Sequence, residues 1–185
     1  MSRKCVLIIG GARSGKSTFA QELAQQLGEP VLFVATAEAG DEEMKDRIEK
    51  HKQERAAEWK TLEATTHIGR HIGQKIGEVR VVVVDCITLL VNNIFNQYSK
   101  QIDAHLIEEK LNNEINELVD YINTVDASFI IVTNEIGLGL VPANRIGRLY
   151  RDLLGKANQM LAQKADDVYL MVAGLPTQIK PVKFF

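Results

Sequence analysis

Residues Gly10-Gly11-Ala12-Arg13-Ser14-Gly15-Lys16-Ser17 read G-x-x-x-x-G-K-S. The apolar run Cys5-Val6-Leu7-Ile8-Ile9 precedes them, and Phe19, Leu23 and Leu27 follow at one-turn spacing. The pattern predicts strand, glycine loop and helix, the context in which this motif binds the phosphates of a nucleotide. A polyphosphate needs dense, fixed positive potential. A chain that turns sharply through glycines can aim several backbone N–H groups at its oxygens. Lys16 would neutralise the β- and γ-phosphates, Ser17 would offer its hydroxyl to Mg²⁺, and the next helix would point its positive end at the anion. Gly10 and Gly15 are expected where a Cβ would block the required conformation or approach.

The rest of the chain alternates strand and helix. Strands are expected over Pro30–Ala37, Arg80–Asp85, Phe129–Thr133 and Val168–Val172, the last ended by Gly174-Leu175-Pro176. Helices are expected from about Asp41 to Trp59, with Asp41 as N-cap and Glu42 and Glu43 in the first turn, and over Thr88–Phe95, Asp103–Asn123 and Asn144–Lys164. Thr61 and Glu63 fall in a short link, and the pattern through Gly77 is thin. Runs such as Val81-Val82-Val83-Val84 imply strands covered on both faces, hence a mostly parallel sheet between helices in an α/β fold. The 185 residues fit a single domain, 1–185, that buries about 70% of its unfolded surface. A net charge of −2 supplies no general basic field for nucleic acid. No run approaches the roughly 18 apolar residues of a membrane span, and the run before Gly10 is too short for a signal peptide. With two isolated cysteines, Cys5 and Cys86, beside apolar runs, the expectation is a reduced, cytoplasmic protein with buried thiols.

In parallel sheets the ligand lies at the carboxyl ends of the strands. That rule gathers Gly10–Ser17, Thr36, Asp85 and Asn134–Glu135 on one edge. Asp85 ends its valine run where the second acid of phosphate-loop proteins holds Mg²⁺. On the helix from Asp41, Arg47, His51 and Arg55 are spaced by four and four and form one stripe, flanked by Lys50 and Lys52. Two guanidiniums beside the imidazole would keep His51 neutral and nucleophilic, and could hold phosphate oxygens for attack on phosphorus. By itself such a stripe is ordinarily a solvated face, with Met44 and Ile48 on the core side. His67, His71 and His105 have no metal-ligand spacing and read as surface or filler.

Together these segments resemble a known family. They are G-G-A-R-S-G-K-S, A-T-A at Ala35–Ala37, D-E-E-M-x-x-R-I-x-x-H-K-x-x-R from Asp41 to Arg55, and W-x-T-x-E from Trp59 to Glu63. V-T-N-E-I-G-L-G-L-V-P from Val132 to Pro142, N-R-x-x-R-x-Y-R-D at Asn144–Asp152 and Asn158-Gln159 complete the set. The chain is similar over nearly its whole length to the bifunctional adenosylcobinamide kinase/adenosylcobinamide-phosphate guanylyltransferases. The resemblance implies a RecA-like P-loop NTPase fold and two successive transfers in cobalamin nucleotide-loop assembly. A nucleoside triphosphate, ATP or GTP, phosphorylates the aminopropanol hydroxyl of adenosylcobinamide. GTP then guanylylates a histidine, which passes GMP to adenosylcobinamide-phosphate.

Carried over by position, His51 matches the guanylylated histidine, and Gly10, Gly11, Ala12, Arg13, Ser14, Gly15, Lys16 and Ser17 would hold the triphosphate. Ala35, Thr36, Ala37, Lys52, Gln53, Glu54, Arg55, Glu63 and Asp85 would contact the guanine nucleotide or its metal, with Ser17 and Asp85 as Mg²⁺ ligands. The resemblance also implies a homo-oligomer, a trimer. Lys50 precedes His51 where some relatives have adjacent histidines, and Asp85 stands where others carry Glu. A single-function P-loop small-molecule kinase and an NTP-driven regulatory domain share the fold, which does not separate them.

Overall fold

The computed structural model describes residues 3–38, 42, 45, 49, 52, 55–98 and 103–181. The apolar runs form the middle of one seven-stranded sheet. Its strands are β1 (Cys5–Gly10), β2 (Val31–Ala35), β3 (Lys60–Glu63), β4 (Val81–Asp85), β5 (Ser128–Asn134), β6 (Asp167–Val172) and β7 (Leu175–Lys180), in the order β3-β2-β4-β5-β1-β6-β7. Every pairing is parallel except β6 with β7. The helices are α1 (Lys16–Leu27), α2 (Ile68–Lys75), α3 (Ile87–Tyr98), α4 (Ala104–Thr124) and α5 (Arg145–Lys164).

The valine run shows why both faces must be covered. Val82 and Val84 pack into a core shared with Ile68, Leu90, Leu118 and Leu154, which come from four different helices. Val81 and Val83 pack into a second core with Ala20 and Ala24 of α1. Each buried valine contributes on the order of 1.5–3 kcal/mol relative to an exposed one, and alternate residues of the strand collect it on opposite faces.

Asp103 and Asn144 cap α4 and α5: Asp103 accepts from the N–H groups of His105 and Leu106, and Asn144 from that of Gly147. Two expectations need correction and two are extended. Thr61 and Glu63 lie in β3, an edge strand, rather than in a link. The thin segment before Gly77, where the pattern gives no firm assignment, contains α2. β6 ends at Val172, before Gly174-Leu175-Pro176 as expected, and the chain then turns into β7, where Pro176 on the outermost strand pairs with Met171; proline is tolerated at such an edge. The helix after Asp41 does not run to Trp59. Glu42, Lys45, Glu49 and Lys52 are helical, but Arg55 and Trp59 are in bends and Ala57 and Glu58 in a turn. The physical reason is the core: Trp59 is buried and stacks on Phe33 of β2, and Arg55 lies over the same ring. Expectations for Asp41, Glu43, Met44, Arg47, Ile48, Lys50, His51, Gln53 and Glu54 fall outside the described residues.

Candidate functional site

The phosphate loop joins β1 to α1 as expected. Gly15, with φ 91°, opens the helix, and no side chain caps it. The first-turn N–H groups are therefore left without a side-chain acceptor, which suits an anion. Lys16 is only 7% exposed; its Nζ donates to the carbonyl of Gly11 at 2.6 Å and approaches Ser14 Oγ at 3.5 Å. The amine is thus folded onto its own loop, where phosphate oxygens would compete for it. Burial lowers the Lys16 pKa, opposed by Cys86 and Asp85.

The glycines of the motif have separate reasons. A Cβ at Gly10 would stand 2.6 Å from the Met171 carbonyl oxygen and 2.8 Å from Ser14 Oγ. A Cβ at Gly15 would meet Gly174 Cα at 3.2 Å, in addition to the left-handed φ. The β6–β7 turn packs directly on the loop, and Gly174 N–H donates to Ser14 O at 3.0 Å.

Strand register assembles the rest of the carboxyl edge. Gly10 pairs with Asn134 and Met171, and Asp85 with Ala35 and Val132. Thr36 is fully buried beyond β2; its hydroxyl donates to Cys86 O at 2.7 Å and accepts from Cys86 N–H at 2.8 Å. Both cysteine thiols are pushed up to about 12, chiefly by burial, so neither is a ready nucleophile.

Several polar residues behind this edge were not singled out for a role in the sequence. Asn93 donates to the carbonyls of Thr36 and Thr65. Asn158 accepts from Thr133 Oγ1 at 2.7 Å and donates to Asn134 O at 3.0 Å. Thr88 accepts from Asn134 N–H, and its carbonyl accepts from the Tyr150 hydroxyl. The available signal was an amide inside an apolar helical stripe, since buried polar groups need partners.

A second group lies toward the β3 edge. Lys52, Arg55, Ala56, Ala57, Trp59, Thr61 and Glu63 line a cavity of about 360 Å³. Lys52 Nζ and Glu63 Oε1 are 2.6 Å apart, and the hydrogen bond from Lys52 holds the Glu63 carboxyl below its usual range. The Arg55 guanidinium sits 3.8 Å from the Phe33 ring centroid. Burial lowers its pKa, while Asp85 and Glu63 oppose that shift. Among the described residues, Arg55 Nε and Nη1 and Trp59 Nε1 are buried without a hydrogen-bond partner.

The predicted site residues therefore form two clusters. Glu63 on β3 is four strands from Gly10 on β1, roughly 19 Å at the usual strand spacing. Asp85 lies between them, close enough to influence both Lys16 and Arg55. His51, Gln53 and Glu54 lie outside the described residues.

Comparison with known proteins extends this geometry. The crystal structure of the RadB recombinase is similar at a TM-score of 0.50 and 17% identity, covering 90% of this chain and 73% of that one. This likeness shows a RecA-like fold and no more. Residues 6–179 match the family described as CobU, cobinamide kinase / cobinamide phosphate guanyltransferase.

The chain belongs to this family. Two proteins named bifunctional adenosylcobalamin biosynthesis protein CobU agree with the match. The one from Escherichia coli (strain K12) is 38% identical and the one from Salmonella typhimurium is 37% identical, each over 95% of this chain and 99% of the relative. Bifunctional adenosylcobalamin biosynthesis protein CobP of Pseudomonas aeruginosa is 37% identical over 94% of this chain and 96% of its own length. As a CobU-family member the chain is an enzyme, a transferase. Among the described residues no helix is long and apolar enough to cross a membrane.

Proposed function

We propose that this chain catalyses both transfers in its family's description as a single catalytic domain. It would first phosphorylate adenosylcobinamide, then convert adenosylcobinamide-phosphate to adenosylcobinamide-GDP. The observation that carries this reading is the family match over residues 6–179, together with a phosphate loop closed on a buried lysine.

In the first transfer the aminopropanol oxygen attacks the γ-phosphorus of ATP or GTP, the nucleoside diphosphate leaves, and the hydroxyl proton passes to solvent. Residues 10–17 hold the triphosphate. Lys16 exchanges its bond to Gly11 O for the β- and γ-phosphate oxygens, where its charge offsets that of the transferring group. In the second transfer an imidazole nitrogen of His51 attacks the α-phosphorus of GTP and pyrophosphate leaves. A phosphate oxygen of the first product then attacks the bound GMP phosphorus and frees His51.

The cluster at Lys52–Glu63 suits the guanine nucleotide. The unpartnered donors of Arg55 and Trp59 need acceptors, and Glu63 offers a carboxylate to ring N–H groups. Ala35, Thr36 and Ala37 lie at the end of β2 between the two clusters. Ser17 and Asp85 provide hard oxygen donors of the kind Mg²⁺ takes, and Asp85 is near enough to Lys16 to act on its charge, so these two residues fit the ion. Mg²⁺ would supply charge neutralisation at the phosphates. A cytoplasmic homotrimer is part of the same reading.

The test uses GTP labelled at the α-phosphate. Wild type should retain acid-labile label after denaturation and His51→Ala none. Unlabelled wild type that still transfers the γ-phosphoryl group would leave only the kinase half.

A further inference from the structure

The carboxyl edge carries apolar side chains in water on both sides of the phosphate loop. Beyond β5, Leu138 is 84% exposed, Leu140 96% and Val141 65%; Val172, the last residue of β6, is 57% exposed and Leu175, the first of β7, 70%. Apolar side chains gathered beside a site in this way mark ligand or partner surfaces, whereas scattered ones need no explanation.

Both groups are tied to the loop by hydrogen bonds. On the β5 side, Glu135 N–H donates to Gly10 O at 2.9 Å, and the Glu135 carboxylate accepts from the N–H groups of Gly137 and Leu138. Arg148 then donates to the carbonyls of Pro142 and Ala143 at 3.0 and 2.7 Å, which anchors the far end of the segment to α5. On the β6 side, Val172 pairs with Leu175 across the turn whose Gly174 N–H binds Ser14 O. Because β5 and β6 are the two neighbours of β1, these apolar lips rise about two strand spacings apart, roughly 10 Å, with the phosphate loop between them.

We infer that the two lips, Leu138–Val141 and Val172/Leu175, seat the corrin macrocycle of the cobinamide substrate, so that its aminopropanol arm reaches down to the terminal phosphate. This rests on the function proposed above. A corrin ring is broad, carries apolar faces, and has its reacting hydroxyl on a side arm. An open apolar cradle beside the phosphate loop suits it. The cavity at Lys52–Glu63 is lined by charges and lies toward the opposite edge of the sheet, which suits a nucleotide. The surface serves both transfers, because the macrocycle is common to adenosylcobinamide and its phosphate.

The experiment is steady-state phosphoryl transfer with adenosylcobinamide varied at saturating nucleotide, for wild type, Leu140→Ser, Leu175→Ser and the double variant. Loss of one leucine contact is expected to raise the corrinoid KM about tenfold and loss of both about a hundredfold. The nucleotide KM should be unchanged and kcat should stay within about twofold. All these side chains are exposed, so melting temperatures should match wild type, and Val141→Ser repeats the test if one leucine variant folds poorly. Unchanged corrinoid KM in active variants overturns the inference. So does unchanged KM accompanied by a smaller sedimenting species, which would make the lips a contact between copies. Wild type that transfers no phosphate to adenosylcobinamide overturns this inference and the proposed function together; active wild type with indifferent variants overturns only this one.

Discussion

Two neighbouring glycines in the phosphate loop have different physical roles. A methyl group at Gly10 would collide with the Met171 carbonyl in the adjacent strand, which cannot move without breaking the β1–β6 ladder. At Gly11 nothing lies within 4 Å of the added Cβ. Gly10→Ala should therefore cost about 1–3 kcal/mol through overpacking and weaken GTP binding by at least about tenfold. Gly11→Ala should unfold at the wild-type denaturant concentration. Urea titration and fluorescent-GTP binding check both, and equal stability losses would contradict the contact geometry. The motif G-x-x-x-x-G-K-S fixes Gly10 and leaves Gly11 open, and the packing of β6 on Gly10 supplies the physical reason. The converse case is Arg55, whose i+4 spacing from His51 reads as one more member of a helical stripe. In the structure Arg55 is in a bend with its guanidinium over the Phe33 ring, a contact between distant residues that no local pattern encodes.

The N-terminus of α2 depends on a helix far along the chain. His67 precedes it with φ 50° and contributes no side-chain cap. Instead, the buried carboxylate of Glu114 on α4 accepts from His67 N–H at 2.8 Å and Ile68 N–H at 2.9 Å, while Glu117 accepts from Arg70 N–H. Hydrogen bonds to a charged group contribute about 1.5–3 kcal/mol. Glu114→Ala should accordingly lower unfolding free energy by about 2–3 kcal/mol and Glu114→Gln by less, as read by urea denaturation. A loss under about 0.5 kcal/mol would show that α2 does not need this cap. A cap supplied from 46 residues away leaves no local start signal, which is why this helix was faint in the sequence. The central strands were legible because burial on both faces demands an unbroken apolar run. The edge strands Lys60–Glu63 and Leu175–Lys180 satisfy weaker demands, so their mixed composition reads as loop. Much the same divides the site: the phosphate loop is contiguous and legible, whereas Asn93, Asn158 and Tyr150 act through partners on other elements.

Across the whole molecule, the buried ionisable groups set a response to alkali. Burial pushes the Cys5 and Cys86 thiols from 9.0, and the Tyr150 phenol from 10.0, up to about 12. Each keeps its proton in the folded chain at a pH where the unfolded chain has lost it, so the native state binds more protons. Their stabilising contribution is complete below about pH 9 and is lost as pH rises toward 12, by at most about 1.4 kcal/mol per pH unit for each group. Lys16, lowered by burial, acts in the opposite sense. Urea midpoints measured from pH 8.5 to 11 should fall steadily, and more gently in Cys5→Ala; equal slopes would exclude Cys5 as a contributor. The strand order has a consequence for how the chain is made. β1 is synthesised well before its neighbours in the sheet, residues 128–134 and 167–172, and before the turn at Gly174 that braces the phosphate loop. A nascent chain holds the whole G-x-x-x-x-G-K-S segment long before the strands and the turn that wall it have been made. Nucleotide capture therefore waits on β6 and its turn, and β1 stays an unpaired apolar strand until β5 and β6 follow it.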